Sequence, residues 1–297
     1  MTQPNGDTPQ GLGFAISAYF LWGFLPLYMK MVSHISAAEV VAHRVIWSVP
    51  IAAVVLILLK RTGDLLAAVR NPRMLAMGCV TAALVSINWG IYVWAIASDQ
   101  TVDAALGYYI NPLFSVALGA LVLRERVTRL QLIAIGLASI AVIVLIWQAG
   151  SVPWVAVGLI LSWGLYALAK KQLPIGPNQG FLLEVLILLI PALGYAVWLS
   201  ASGQGHFLTT DFSDTLLLLG CGAVTAAPLL LYANGAKGLR LTTIAILGYV
   251  APTLIFLIAV FVFKEPLDQG RLMAFPMIWA ALVIYSTSMI RQMRAAT

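Results

Sequence analysis

Ten apolar runs of roughly membrane-spanning length occupy most of this chain, since about 20 apolar residues cross the hydrocarbon core of a bilayer. Of its 297 residues, 61% are hydrophobic and only 9% are charged, against about 25% charged residues in soluble domains. The sequence therefore predicts an all-α membrane protein with ten transmembrane helices and no soluble domain. The runs are 11–29, 38–59, 74–97, 102–123, 130–147, 153–170, 180–200, 214–236, 242–263 and 270–290.

The connections between the runs are short, and the longest are expected to be loops at 60–73 and 201–213. The net charge of +6 does not predict a nucleic-acid partner, because the basic residues lie between apolar runs. Both cysteines lie inside runs, so neither a structural disulfide nor a metal site is expected. The first run is too long for the core of a signal peptide and is expected to remain a membrane helix. No cofactor is predicted.

Loop charges predict the orientation, because lysine and arginine concentrate on the cytoplasmic side. With the N-terminus inside, thirteen basic residues lie in inner loops and three, Lys30, Lys264 and Arg271, lie in outer loops. Both termini are therefore expected in the cytoplasm, with the chain in the inner (plasma) membrane.

The two halves of the chain resemble each other. Residues 1–150 and 151–297 each hold five runs, and a nearly constant offset of 140 or 141 residues joins similar positions. Because five is odd, the second half should be inverted relative to the first, a common construction of secondary transporters. The matched positions are Tyr92 with Tyr232, Tyr109 with Tyr249, Pro112 with Pro252, Glu125 with Glu265, and Trp22 with Trp163.

Two of the matched positions are prolines in the middle of apolar runs. Pro112 and Pro252 each remove a helical hydrogen bond, and such breaks in corresponding runs indicate a substrate path. Gly107 and Gly248 precede them and are candidate hinge points. The alternative is an ordinary proline kink. Glu125 and Glu265 are expected to hold basic neighbours at opposite ends of the pathway.

The fourth and ninth runs read GYYINPLF (107–114) continuing to LRER (123–126), and GYVAPT (248–253) continuing to FKEP (263–266). With the segment EVVAHRVIW (39–47), they resemble the drug/metabolite transporter superfamily and in particular its EamA/RarD-type permeases, which are similar to YddG-type exporters of aromatic amino acids. The resemblance covers essentially the whole chain. It implies a ten-helix bundle around a central cavity, and it favours export over uptake.

Aromatic and amide side chains cluster in the runs that this resemblance places around the cavity. Their apolar faces and single polar atoms suit an amphipathic or aromatic solute. The alternative is packing or an interfacial belt, which is the favoured interpretation of Trp147, Trp154, Trp198 and Trp279. The predicted substrate-binding residues are Tyr19, Trp22, Asn88, Tyr92, Tyr108, Asn111, Trp163, Tyr166, Tyr232 and Tyr249.

Few ionisable residues lie inside the runs, and a charge at membrane depth is a functional candidate because it is costly there. His43 and Glu184 are candidates for coupling proton movement to transport. Glu39 and His43, four residues apart, also fit a structural cluster near the surface, and Arg44 is expected to extend outward along its stem. Asp103 is expected to stabilise a helix N-terminus rather than to bind a ligand.

Together these features predict a monomeric secondary transporter of small amphipathic metabolites. The expected activity is export of aromatic and hydrophobic amino acids by alternating access, without ATP, for which no motif is present. Efflux of drug-like aromatic compounds is an alternative. An intramembrane lipid-modifying enzyme would need a convergent acid–base grouping beyond Glu39 and His43, and a passive channel would usually be assembled around an oligomeric axis.

Overall fold

The computed structural model describes residues 8–60, 62–122, 127–149, 152–208, 212–235, 238–239, 243–244 and 247–295. Their secondary structure is helical. The helices are α1 (Pro9–Met31), α2 (Ala37–Leu58), α3 (Thr62–Arg70), α4 (Pro72–Ala97), α5 (Thr101–Val122), α6 (Arg129–Ala149), α7 (Trp154–Gln172), α8 (Pro177–Ala201), α9 (Phe212–Gly235), α10 (Val250–Leu257) and α11 (Gln269–Ala295).

Eight of the described helices are long and apolar enough to cross a membrane, and two shorter apolar segments, Trp154–Lys170 and Val250–Val262, accompany them. Each predicted run overlaps one of these segments, with boundaries that differ by a few residues except that the segment in run 242–263 begins at Val250. The protein is therefore a multi-pass membrane protein. The loop expected at 60–73 instead contains α3, which packs against α4 and α8.

Local sequence explains where several helices begin. Ser36 accepts a hydrogen bond from the backbone N–H of Glu39, and Asn71 accepts from the N–H groups of Arg73 and Met74, so both act as N-caps. Thr128 and Gln131 form a capping box, in which each side chain accepts from the other residue's N–H before α6. The helix boundaries are thus encoded by cap residues as well as by hydropathy.

The two prolines of the repeat differ in their surroundings. Pro112 lies inside α5, which continues without interruption to Val122, so the break expected there is absent. Pro252 is the third residue of α10, after the turn at 248–249, and α10 continues into a π-helical turn at Ile258–Val262. A local break is therefore present in the second half and not in the first.

Helices of each half of the chain pack against helices of the other half. Helix α1 of the first half packs against α9 and α10 of the second, and α7 of the second half packs against α4 and α5 of the first. Likewise α2 packs against α9 while α8 packs against α4, and α6 packs along α11. The core therefore lies between the halves rather than inside each of them.

Small residues permit the closest of these helix crossings. The Cα of Gly222 on α9 lies against the backbone of Trp47 on α2, and the hydroxyl of Ser48 donates to the carbonyl of Gly222 over 3.4 Å. A similar crossing joins Gly235 on α9 to the backbone of Ala15 on α1, where an added Cβ would lie 2.8 Å from the Ala15 nitrogen. Helix α9 is thereby held directly against α1 and α2.

Candidate functional site

An aromatic chain, which we call the first aromatic cluster, lies between α4, α5 and α7. The ring of Tyr108 lies 5.7 Å from that of Tyr92 and 6.5 Å from that of Trp163, centre to centre. Trp163 in turn lies 5.4 Å from Tyr166. These four predicted residues therefore form one continuous surface, contributed by both halves of the chain.

Asn88 fixes the polar side of this cluster. Its amide oxygen accepts a hydrogen bond from the Tyr108 hydroxyl over 3.2 Å, and its amide nitrogen donates to the Ser162 hydroxyl over 3.0 Å. Asn88 is itself buried. The amide thus links α4 to α5 and α7 and holds the Tyr108 ring in place.

A second aromatic cluster joins α1 to α9. Tyr19, Trp22 and Tyr232 are mutually in contact, with ring centres 5.6 to 5.8 Å apart. The Tyr19 hydroxyl donates to the carbonyl of Ile244 over 3.3 Å. Since Trp22 and Tyr232 are the repeat counterparts of Trp163 and Tyr92, the two clusters occupy corresponding places in the two halves.

The remaining predicted residues lie elsewhere. Tyr249 lines a groove of about 480 Å³ together with Tyr109 and Trp279, and the Tyr109 hydroxyl donates to that of Thr253 over 2.8 Å. Asn111 on α5 is buried, and neither of its polar side-chain atoms has a partner among the described residues. The candidate residues are thus distributed over two clusters and a groove rather than gathered in one lining.

Glu184 extends the first aromatic cluster toward one end of the bundle. Its carboxylate accepts from the Lys170 ammonium over 2.5 Å and from the Tyr166 hydroxyl over 3.2 Å. The side chain of Glu184 is 1% exposed and that of Lys170 is 22% exposed. A buried ion pair is therefore in direct contact with the aromatic residues.

His43 and Glu39, which the sequence paired with each other, have other partners. Glu39 accepts from the backbone N–H and from Nδ1 of His206, over 2.7 and 2.8 Å. The His43 Nδ1 accepts from the indole N–H of Trp47 over 3.0 Å, so this contact requires an unprotonated Nδ1. Glu39 thereby fastens the connection between α8 and α9 to α2.

Arg44 does not extend to the surface as expected but is buried, with 3% of its surface exposed. Its Nε donates to the Thr225 hydroxyl over 2.9 Å, and its guanidinium lies 4.7 Å from the centre of the Trp89 ring. The sequence-based expectation for the position of its side chain is therefore wrong. The available signal was the arginine's position well inside an apolar run, where a charge is rare.

At the N-terminal end of α5, Asp103 lies in the first turn as expected, but it and Glu265 have partners that the sequence does not predict. Asp103 pairs with Arg271 through two hydrogen bonds of 3.2 and 2.9 Å, whereas Glu265 accepts from the N–H groups of Thr101 and Val102, each over 2.8 Å. Glu265 thus caps α5 instead of holding Lys264. Its repeat counterpart Glu125 lies outside the described residues.

Comparison with known proteins identifies a transporter family. Residues 9–147 match the EamA-like transporter family. The chain is similar to Protein RarD of Streptomyces exfoliatus, with 39% identity over 96% of this chain and 90% of that protein. It is equally similar to an uncharacterized transporter of Vibrio cholerae, with 39% identity over 100% and 98% of the two chains. A protein of Pseudomonas aeruginosa named chloramphenicol-sensitive protein RarD is 30% identical over 96% of both.

A solved crystal structure aligns with 92% of this chain and 96% of its own length, with a TM-score of 0.60 and 17% identity, which supports the fold alone. The relatives, by contrast, cover nearly the entire chain at 30–39% identity, and the family model matches residues 9–147. The chain therefore belongs to the EamA/RarD-type permeases of the drug/metabolite transporter superfamily.

Proposed function

We propose that this transporter exports aromatic and hydrophobic amino acids by alternating access, as a monomer in the inner membrane with both termini in the cytoplasm. In this proposal residues 1–150 and 151–297 are inverted five-helix repeats. The first aromatic cluster binds the side chain of the substrate, and His43 or Glu184 couples proton movement to transport.

The helix packing supports the two-repeat proposal. The offset of 140 or 141 residues relates α1 to α7, α4 to α9 and α5 to α10. Exchanging the members of these pairs turns the contacts of α1 with α9 and α10 into the contacts of α7 with α4 and α5, and both sets occur. A duplicated unit with two-fold symmetry would generate this equivalence, and inverted repeats are a common basis of alternating access.

The observation that carries the substrate proposal is the first aromatic cluster. Tyr108 connects Tyr92 to Trp163 across the boundary between the two halves, and Asn88 orients it through a hydrogen bond. Aromatic rings with polar edges bind flat, amphipathic solutes by stacking and edge contacts. A site between two halves that move relative to each other is also where a carried solute must lie.

Efflux of aromatic drugs is the second candidate, favoured by the name of the Pseudomonas aeruginosa relative, which refers to chloramphenicol. Chloramphenicol is likewise aromatic and amphipathic, so the same cluster suits it. The two candidates differ in the polar groups that the site must recognise beside the ring.

Counterflow in proteoliposomes tests the proposal. Vesicles loaded with unlabelled phenylalanine are expected to accumulate labelled phenylalanine transiently and saturably, and chloramphenicol is the competing probe. A carrier produces this overshoot because each unlabelled phenylalanine that leaves the vesicle brings the binding site back to the outside. The site can then bind labelled phenylalanine and carry it in. Accumulation that is absent for phenylalanine, tryptophan and leucine would reject amino-acid transport, and linear uptake without exchange would indicate a channel.

Removing the repeat prolines is expected to slow transport without unfolding the protein. Pro112→Ala and Pro252→Ala restore a hydrogen-bond donor in α5 and α10 and stiffen both helices. We expect counterflow to fall roughly tenfold in each variant, which corresponds to about 1.4 kcal/mol in the barrier. Initial rates in proteoliposomes, normalised to reconstituted protein, measure the effect.

Pro191→Ala is the matched control, because Pro191 is also an internal proline of a long apolar helix but is exposed on the outside of the bundle. Rates equal to wild type in both repeat variants would contradict a hinge at these prolines. An equal loss in the Pro191 variant would show that the effect belongs to membrane prolines in general.

A further inference from the structure

Arg44 is a buried cation within the span of α2. It is the eighth residue of that helix, so it lies about 10 Å along the axis from the first residue at a rise of 1.5 Å per residue. Its side chain does not return to the surface, because the guanidinium is enclosed by Trp89 and Thr225. A charge kept at this depth requires compensation or serves a function.

The structure provides only part of that compensation. Thr225 accepts one hydrogen bond from Nε, while the buried Nη1 has no hydrogen-bond partner among the described residues. Among the same residues no carboxylate forms an ion pair with Arg44. The neighbouring acid on α2, Glu39, already accepts two hydrogen bonds from His206. The positive charge is therefore left without a counter-ion in the described part of the chain.

A second unsatisfied donor lies in the same region. The hydroxyl of Tyr92 is buried and also has no hydrogen-bond partner among the described residues. Trp89, whose ring lies against the Arg44 guanidinium, and Tyr92 are three residues apart on α4, so their side chains share one face of that helix. One cationic N–H group and one phenol O–H are thus buried on this side of α4 without a hydrogen-bond partner among the described residues.

We propose that Arg44 and Tyr92 bind the carboxylate of the transported solute. A carboxylate supplies the negative charge that Arg44 lacks and accepts hydrogen bonds from both Nη1 and the Tyr92 hydroxyl, and charge-assisted hydrogen bonds of this kind are the strong ones. The aromatic part of the solute then lies along Tyr108 and Trp163. This inference rests on the proposed function, and it restricts the substrates to aromatic or hydrophobic solutes that bear a carboxylate.

The test compares three probes that differ only in their charged groups. Phenylalanine has a carboxylate and an amine, 3-phenylpropionate has only the carboxylate, and phenylalaninamide has only the amine. In counterflow of labelled phenylalanine, unlabelled phenylalanine and 3-phenylpropionate are expected to compete at least tenfold more strongly than phenylalaninamide. Equal competition by phenylalaninamide would overturn the proposal while leaving transport itself established.

Two substitutions of Arg44 then test whether this residue is responsible for the preference for carboxylate probes. Arg44→Gln is expected to reduce competition by both carboxylate probes at least tenfold and to leave that of phenylalaninamide unchanged, whereas Arg44→Lys retains part of the preference. Arg70→Gln is the matched control, because Arg70 is an exposed arginine at the end of α3. An unaltered carboxylate preference in Arg44→Gln would overturn the assignment.

Tyr92→Phe keeps the ring and removes only the hydroxyl, so it tests the site even if Arg44→Gln does not fold. We expect a threefold to tenfold weaker competition by the carboxylate probes alone, and an unchanged preference would exclude Tyr92 from the site. Thermal stabilisation of the purified protein by 3-phenylpropionate provides a readout independent of transport. If wild type transports none of the probes, stabilisation that depends on Arg44 still supports the anion site, and its absence rejects it.

Discussion

Replacing Gly222 with alanine is expected to destabilise the bundle by about 3 kcal/mol or more, the upper range for overpacking. The added methyl group would overlap the main-chain carbonyl group of Trp47 on α2, and a backbone cannot rotate away as a side chain can. Helices α2 and α9 would have to separate along their contact. Residual monomer on size-exclusion chromatography after heating, in one detergent, measures the change.

Gly194→Ala on α8 is the control, because a Cβ at Gly194 would meet no atom within 4 Å. This substitution is expected to leave stability unchanged or to raise it by up to about 1 kcal/mol, since alanine is the better helix former. A Gly222→Ala variant as stable as Gly194→Ala would show that α2 and α9 are farther apart than the structure places them.

Replacing Glu184 with glutamine is expected to cost about 3 kcal/mol, because removing one partner of a buried ion pair leaves the other charge uncompensated. The Lys170 ammonium would retain only neutral acceptors in a site that is 22% exposed. The Tyr166 hydroxyl would also lose its charged acceptor. The same heating assay measures stability, and counterflow with and without a pH gradient measures coupling.

A double variant tests whether the fold needs the ion pair itself or only the absence of an unpaired buried charge. Lys170→Met combined with Glu184→Leu is expected to recover most of the lost stability, since apolar residues often replace a buried pair at little cost. Asp99→Asn, which breaks the exposed pair with Lys30, is the matched control and is expected to change stability by less than about 1 kcal/mol. A Glu184→Gln variant as stable as this control would contradict a buried pair.

Hydropathy predicts the spans of this protein well because each must satisfy its backbone internally and present apolar side chains over about 20 residues. It does not predict α3, whose nine residues are too few to form such a run. It also does not predict the partner of Glu39, since His206 is distant in sequence and lies in a polar connection. Contacts of this kind depend on how the spans are arranged around each other.

The sequence predicts candidate aromatic residues but not how they are arranged relative to each other. The repeat offset identifies Tyr92 and Trp163 with Tyr232 and Trp22, and the structure places each set in its own cluster. Arg44 was misplaced because an apolar span has no polar face to indicate its rotation about the helix axis. An outward arginine and an inward one are therefore equivalent in hydropathy, and only the packing of α2 against α9 distinguishes them.

The cap that Glu265 places on α5 adds a free-energy cost to separating these two parts of the chain. Two hydrogen bonds to a charged acceptor contribute about 1.5–3 kcal/mol each, so parting them costs about 3–6 kcal/mol. At about 1.4 kcal/mol per factor of ten, thermal fluctuation alone would then part them in roughly one molecule in a hundred to one in ten thousand. In the proposed alternating access, opening at this end therefore has to be driven by some other contact that forms as these bonds break.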